Sequence, residues 1–285
     1  MQKEFNGMKE EYKNIRASED LKKNVGKILK RKSRILWMQR LVASLTLLLL
    51  TGVISLNMHS GLAYAVAEVP GLQGLVRIVT FSKYEFKDNG YEAKVEVPQI
   101  EGLLDPAMED ELNRIFRENG EAVIRAFEED VRELKADFGE DTVHMGLEYN
   151  YQIKTDNEEI LALDIYLFQA AGSSSTVHSF YTIDKKTGSL ITLESLFKED
   201  ADYVRIISDY LREEMRRQNQ EDGGMFWLEE ETEEWNFKEI RSDQNFYINR
   251  DGQLVICFDK YEVAAGAAGS PEFPIPERVM KEIRK

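Results

Sequence analysis

The chain of 285 residues reads as an α+β outer domain with a mostly antiparallel sheet and two main helices, preceded by a single transmembrane helix and a short helical cytoplasmic segment. Three observations predict this. The run Leu41 to Met58 holds no charge and follows Lys30, Arg31, Lys32 and Arg34. Beyond it, segments of period-two alternation and of three-to-four-residue apolar spacing follow one another, as in domains that pack helices on a sheet. The charge is also split. Of 37 basic and 52 acidic residues, residues 1–40 hold 12 and 5, which leaves 25 and 47, a balance of −22, for the rest.

The apolar run organises the chain. With Ile35, Leu36, Trp37 and Met38 it reaches the roughly 20 residues a spanning helix needs, and Arg40 can snorkel toward the headgroups. Inside lipid each backbone polar group must bond within its own segment, so residues 35–58 are expected to be helical. The other reading, a buried core helix, fits poorly with a run that is apolar all round and has a basic flank. Lysines and arginines precede the run, and the next charge is Glu68, so the N-terminus is placed in the cytoplasm and the C-terminal part outside. The expected location is the cell membrane, crossed once.

Residues 1–34 form the cytoplasmic segment. Met8, Tyr12 and Ile15, then Leu21, Val25, Ile28 and Leu29, recur at helical spacing. Two such short helices are marginal alone and form when a partner covers their apolar faces. The simpler reading is a basic tail that only sets topology. With no Cys or His in this segment, a zinc-stabilised version is excluded.

Residues 59–82 form a juxtamembrane segment. Ala63-Tyr64-Ala65 is the small-x-small pattern a signal peptidase reads, with Val66 after the cut, and Ala65-Val66-Ala67 is a second register. The basic stretch upstream is far longer than an ordinary leader. One reading is a secreted protein with an unusual leader. The other is a signal anchor whose cleavage is held back. Gly52, Ser55 and Asn57 weaken the outer end of the helix, which suits later unwinding inside a membrane protease.

The outer domain is assigned residues 83–285, with a strand and helix in 83–140 and a C-terminal sheet module in 141–285. Tyr91, Ala93, Val95 and Val97 alternate with Glu92, Lys94 and Glu96, a half-buried strand. Asp105-Pro106 supplies an N-cap and a first-turn proline to a helix whose apolar residues run from Met108 to Phe138. Gly120 is expected to loosen its middle and Gly139 to stop it. Three strands follow, over 144–155, 160–168 and 176–183, the first two joined at Asp156-Asn157. Thr187-Gly188 turns into Leu190 and Ile191. A second helix fits 202–218, with Val204, Ile207, Leu211 and Met215 inward, ended by Asp222-Gly223-Gly224. A hairpin joins 245–248 to 254–258 across Asn249-Arg250-Asp251-Gly252. A small-residue loop, three prolines and a short helix from Glu277 complete the chain.

Little in this domain points to catalysis. His144 and His178 lie in strand patterns without metal-ligand spacing and read as structural or surface residues. There is no His-Glu-x-x-His, Gly-x-Ser-x-Gly or phosphate loop. Carboxylates are so common that chance pairs are expected. The single Cys257 permits no intrachain disulfide and sits in an apolar strand. No catalytic residue, metal or cofactor is expected, and the acidic surface argues against nucleic acid. It either steers a basic partner or only keeps the domain soluble. Two small-residue loops stand apart, 169–175 and 263–270. Ala171, Gly172, Ser173, Ser174, Ala264, Gly266 and Gly269 allow close approach of another backbone, with Tyr261 and Phe273 as candidate anchors. Equally, both are plain surface loops.

The order of these features resembles the RsiV-type anti-sigma factors of Gram-positive bacteria over nearly the whole chain. The points of resemblance are Glu10-Glu11-Tyr12-Lys13-Asn14, Ala63-Tyr64-Ala65 before Val69-Pro70, Ile183 to Gly188 leading to Leu193-Glu194-Ser195-Leu196-Phe197, and Lys260 to Ala264 leading to Gly269-Ser270-Pro271-Glu272-Phe273. The resemblance implies an extracytoplasmic-function sigma factor bound through Tyr12, Ile15, Leu21, Val25 and Ile28, and lysozyme bound outside. It also implies cleavage at Ala63, Ala65 and Val66 by signal peptidase, completed by an intramembrane site-2 protease. The outer domain is similar as well to a module found beside peptidoglycan deacetylases. An exported wall-associated module or peptidoglycan-modifying enzyme domain is therefore the alternative.

Overall fold

The computed structural model describes residues 76–138, 144–229 and 236–285. The cytoplasmic segment, the expected membrane helix and the Ala63–Ala65 site lie outside these residues. Among the described residues no helix is long and apolar enough to cross a membrane.

A six-stranded sheet forms the larger layer, built from β1 (Arg77–Asp88), β2 (Tyr91–Glu101), β3 (Met145–Asp156), β4 (Ile160–Ala170), β5 (Ser174–Asp184) and β6 (Ser189–Ile191) in sequential order. Neighbours are antiparallel except β2 and β3, which pair parallel. Parallel neighbours need a long crossover, and helix α1 (Pro106–Phe138) supplies it. The expected α+β class with mostly antiparallel pairing is what forms. The sheet starts at Arg77, inside the stretch assigned to the juxtamembrane segment.

The sequence reasons for α1 hold in detail. Asp105 Oδ1 accepts from the amides of Ala107 and Met108 at 3.0 and 3.2 Å, capping the first turn. Leu112, Ile115, Phe116, Val123, Phe127 and Val131 are buried against the face of β2 that carries Tyr91, Ala93, Val95 and Val97. Gly120 does not loosen the helix. A Cβ there would stand 2.4 Å from Val97 Cγ2, so glycine is what lets helix and sheet approach.

A second, three-stranded antiparallel sheet joins β7 (Phe246–Ile248), β8 (Leu254–Cys257) and β9 (Glu272–Pro274). Helices α2 (Tyr203–Glu221) and α3 (Glu277–Met280) share its core with Ile207, Leu211, Met215, Ile256, Phe258 and Phe273. Asp202 caps α2 by accepting from the Arg205 amide. The two sheets are tied together. Thr155 Oγ1 donates to Ile248 O at 2.7 Å, Lys154 pairs with Glu272 at 2.6 Å, and Phe180 stacks on Tyr247 with ring centres 5.6 Å apart.

Candidate partner-docking surface

The first of the two small-residue loops is shorter than its composition predicts. β4 and β5 stay paired to Ala170 and Ser174, so only residues 171–173 turn. Gly172 takes φ +76°, and the Ala171 amide donates to Ser173 O at 2.9 Å. The second lies in a loop of residues 258–271 between β8 and β9. Its ends meet where the Phe258 amide donates to Pro271 O at 3.0 Å, giving a compact Ω-type loop of the kind that often carries function.

The fold brings the two together. Ser173 Oγ and Tyr261 Oη share a hydrogen bond at 3.2 Å. Lys260 Nζ donates to Ser174 Oγ at 2.7 Å and stands 5.2 Å from the centre of the Tyr261 ring. Tyr261 is 45% exposed and sits at φ +70°, a left-handed conformation that costs a non-glycine residue about 1–2 kcal/mol. Gly266 lies against the ring, since a Cβ there would be 2.3 Å from Tyr261 Cε1. A strained, exposed tyrosine held by Ser173, Lys260 and Gly266 is a built feature of the surface. Beside it, the Ala265 amide donates to the carbonyl of Met225, a second exposed large apolar residue.

Not every candidate faces outward. Phe273 is 3% exposed and Ala264 2%. Phe273 lies in β9 opposite Ile256 and packs edge-on against Phe258, while Ala264 is bridged to Phe226. Both belong to the core of the smaller sheet rather than to an anchor. Gly269, at φ +69°, lets the chain turn back toward β9. Sites expected at Tyr12, Ile15, Leu21, Val25, Ile28, Ala63, Ala65 and Val66 fall outside the described residues.

His178 is the residue whose importance its strand pattern hides. Its Nδ1 is 3.0 Å from Asp164 Oδ1, its Nε2 is 3.1 Å from Ser270 Oγ, and its amide donates to Asp259 Oδ1 at 2.8 Å. Burial lowers its pKa, but the bond to Asp164 and the charges of Asp164, Asp259 and Glu272 outweigh burial and leave it raised. Burial also pushes Asp259 up to about 6, with Glu262 adding to the effect. Serine, histidine and aspartate at these distances could form a hydrolase relay. Yet the residue after Ser270 is Pro271, which carries no N–H, so the backbone donor that follows the nucleophile in α/β-hydrolase oxyanion sites is missing. Burial raises the Cys257 thiol well above its ordinary value, which makes it inert.

A groove of about 620 Å³ lies on the larger sheet, lined in part by Lys87, Glu92, Lys94, Glu148 and Phe168. Its charges are largely satisfied within the sheet, as in Lys87–Glu92 at 2.7 Å and Lys94–Glu96 at 3.1 Å. Among the described residues no group of His, Cys, Asp and Glu is arranged to hold a metal.

The arrangement of two sheets with a long crossover helix is one that solved structures share. Residues 194–277 match the family described as "Protein of unknown function (DUF3298)". A crystal structure of a member from Bacteroides fragilis superposes with a TM-score of 0.55 at 13% identity, covering 75% of this chain and 95% of that one, a likeness of fold alone. Over its whole length the chain is 31% identical to anti-sigma-V factor RsiV of Bacillus subtilis (strain 168), covering 99% of this chain and 97% of that protein. The chain belongs to the RsiV-type anti-sigma factors. A more distant likeness, 19% identity, links 62% of this chain to 37% of the peptidoglycan-N-acetylmuramic acid deacetylase PdaC of the same bacterium.

Proposed function

We propose that this chain is a membrane-anchored anti-sigma factor that holds an extracytoplasmic-function sigma factor inactive through residues 1–34. Release follows when lysozyme docks on the outer domain and the chain is cut, first at Ala63–Val66 by signal peptidase and then within the membrane by a site-2 protease. The observation that carries the reading is the 31% identity running through 99% of the chain, so that inner segment, apolar run and outer domain all match one regulator. The exposed Tyr261 beside Ser173 gives the ligand a docking point, and the −22 balance beyond residue 40 suits a basic ligand. Only residues 67–76 separate Val66 from the first strand, a reach of at most about 35 Å. Arg77 pairs with Glu101, at the end of the sheet opposite the β4–β5 turn beside Tyr261, so a ligand there acts on the cleavage site through the domain. Binding acts only by favouring a state in which that site is open.

The test is chain length. Lysozyme added to intact cells is expected to convert the full-length band into a product starting near residue 66, and deletion of residues 1–34 to switch the regulon on. A band unchanged by lysozyme sinks the reading. The alternative, a wall-associated or peptidoglycan-modifying module, draws on the PdaC likeness. It requires the protein to alter peptidoglycan without a partner.

A further inference from the structure

We propose that His178 is a positioning residue that latches the 258–271 loop to β5 and so holds Tyr261 in its docking pose, without itself touching the partner. This rests on the reading of the Tyr261 surface as the lysozyme-docking site. Four contacts carry it. At the incoming limb of the loop, the His178 amide donates to Asp259 Oδ1 at 2.8 Å, and one residue on, the Lys260 amide donates to Thr176 O at 3.3 Å. At the outgoing limb, His178 Nε2 meets Ser270 Oγ at 3.1 Å. From behind, Asn245 Nδ2 donates to His178 O at 2.9 Å. One strand residue thus grips both limbs, 11 positions apart in sequence, through its main chain and its ring.

The ring is also held by partners outside the loop. Asp164, 1% exposed, accepts from Nδ1, and Phe180 stacks on the ring at 5.8 Å. A carboxylate on Nδ1 places the proton there and leaves Nε2 of the neutral ring as an acceptor. Ser270 then donates its hydroxyl hydrogen. When the ring is protonated, Nε2 donates to Ser270 Oγ instead, so the hydroxyl serves the latch in either state. This accounts for a relay-like trio whose serine is followed by a proline without an N–H. Its chemistry is orientation, and its product is the pose of Tyr261.

The experiment uses the full chain in detergent micelles with His178→Phe, Ser270→Ala and Ser270→Thr. Phenylalanine keeps the ring stacking and removes both ring hydrogen bonds, and threonine keeps the hydroxyl that alanine removes. Amide hydrogen exchange of residues 258–271, measured without lysozyme, is expected to speed up at least tenfold in H178F and S270A, with β7 and β8 unchanged and S270T at the wild-type rate. Lysozyme affinity is expected to fall at least tenfold in the same two variants and to stay within twofold of wild type in S270T. Loop exchange at the wild-type rate in S270A overturns the latch, and so does an S270T variant as loose as S270A. Should H178F unfold the whole domain, the two serine variants decide alone. If the wild-type chain binds no lysozyme, the functional reading fails while the exchange data still decide the latch.

Discussion

At the residue scale the proposed docking surface depends on an absent side chain. Gly266 is not in the left-handed region; it is needed because Tyr261 occupies the space its Cβ would fill. Gly266→Ala is expected to leave the melting temperature within about 2 °C, since the loop is peripheral, yet to weaken lysozyme binding tenfold or more, matching Tyr261→Ala. Isothermal titration of the two variants checks this. A G266A variant with wild-type affinity removes Tyr261 from the surface's working parts. Asp259 gives a second prediction. Its carboxyl loses a proton near 3.9 in the unfolded chain and near 6 in the fold, because of burial and Glu262. The folded state binds more protons in between, so this group's contribution is full below pH 4 and is lost as pH rises to about 6. Asp259→Asn keeps the oxygen that accepts from His178 and removes the buried charge. The variant is expected to melt above wild type at pH 7.5, with the gap closing by pH 4. Thermal melts across that range test the sign. The sequence singled out Ser173, Gly266 and Tyr261 as candidates, but not the contacts among them or the part played by His178. Residues 173 and 261, or 164, 178 and 270, meet only through the tertiary fold, and a histidine in a strand pattern reads as structural until its partners are known.

At the element scale more could be read. Asp105-Pro106 marks the start of α1, and Tyr91 to Val97 marks the buried face of β2, because capping and period-two alternation are local rules. β9 escaped for a local reason too. Pro271 precedes it and Pro274 is its last residue, and proline argues against a strand unless the strand lies at an edge, where β9 does lie. Missing β9 also misplaced Phe273, which alternation within that strand turns into the core between exposed Glu272 and Pro274. Gly120 shows the limit of propensity. Gly→Ala in an exposed helix interior gains about 1 kcal/mol. Here the added Cβ would sit 2.4 Å from Val97 Cγ2, and overpacking costs about 1–3 kcal/mol. Gly120→Ala is therefore expected to destabilise the domain in a wild-type background and to stabilise it, or do nothing, beside Val97→Ala. The double-mutant cycle in denaturant measures the coupling. Additive effects would refute the close approach.

At the scale of the whole molecule, the proposed function gives charge and shape separate tasks, and kinetics can separate them. The −22 balance beyond residue 40 acts over a distance set by the Debye length, about 10 Å at 0.1 M salt. It raises the rate at which a basic ligand arrives and contributes little once the surfaces have met. On the proposed function, the Tyr261 surface works at contact. Its exposed ring sits in a fixed pose, so little side-chain entropy is lost when a partner covers it, and its truncation should show in how fast the partner leaves. The association rate of lysozyme with the full chain is accordingly expected to drop about tenfold between 50 and 500 mM salt, with the dissociation rate changing less than threefold. Tyr261→Ala is expected to do the reverse, raising dissociation tenfold or more at an association rate and salt slope near wild type. Surface plasmon resonance on captured full-length protein reads both constants in one experiment. If salt acts mainly on dissociation, the acidic residues lie inside the interface, and the surface around Tyr261 must extend onto a charged face such as the groove lined by Glu92 and Glu148. If salt acts on neither rate, the charge serves only solubility, and recognition rests on the strained tyrosine and the loop that holds it.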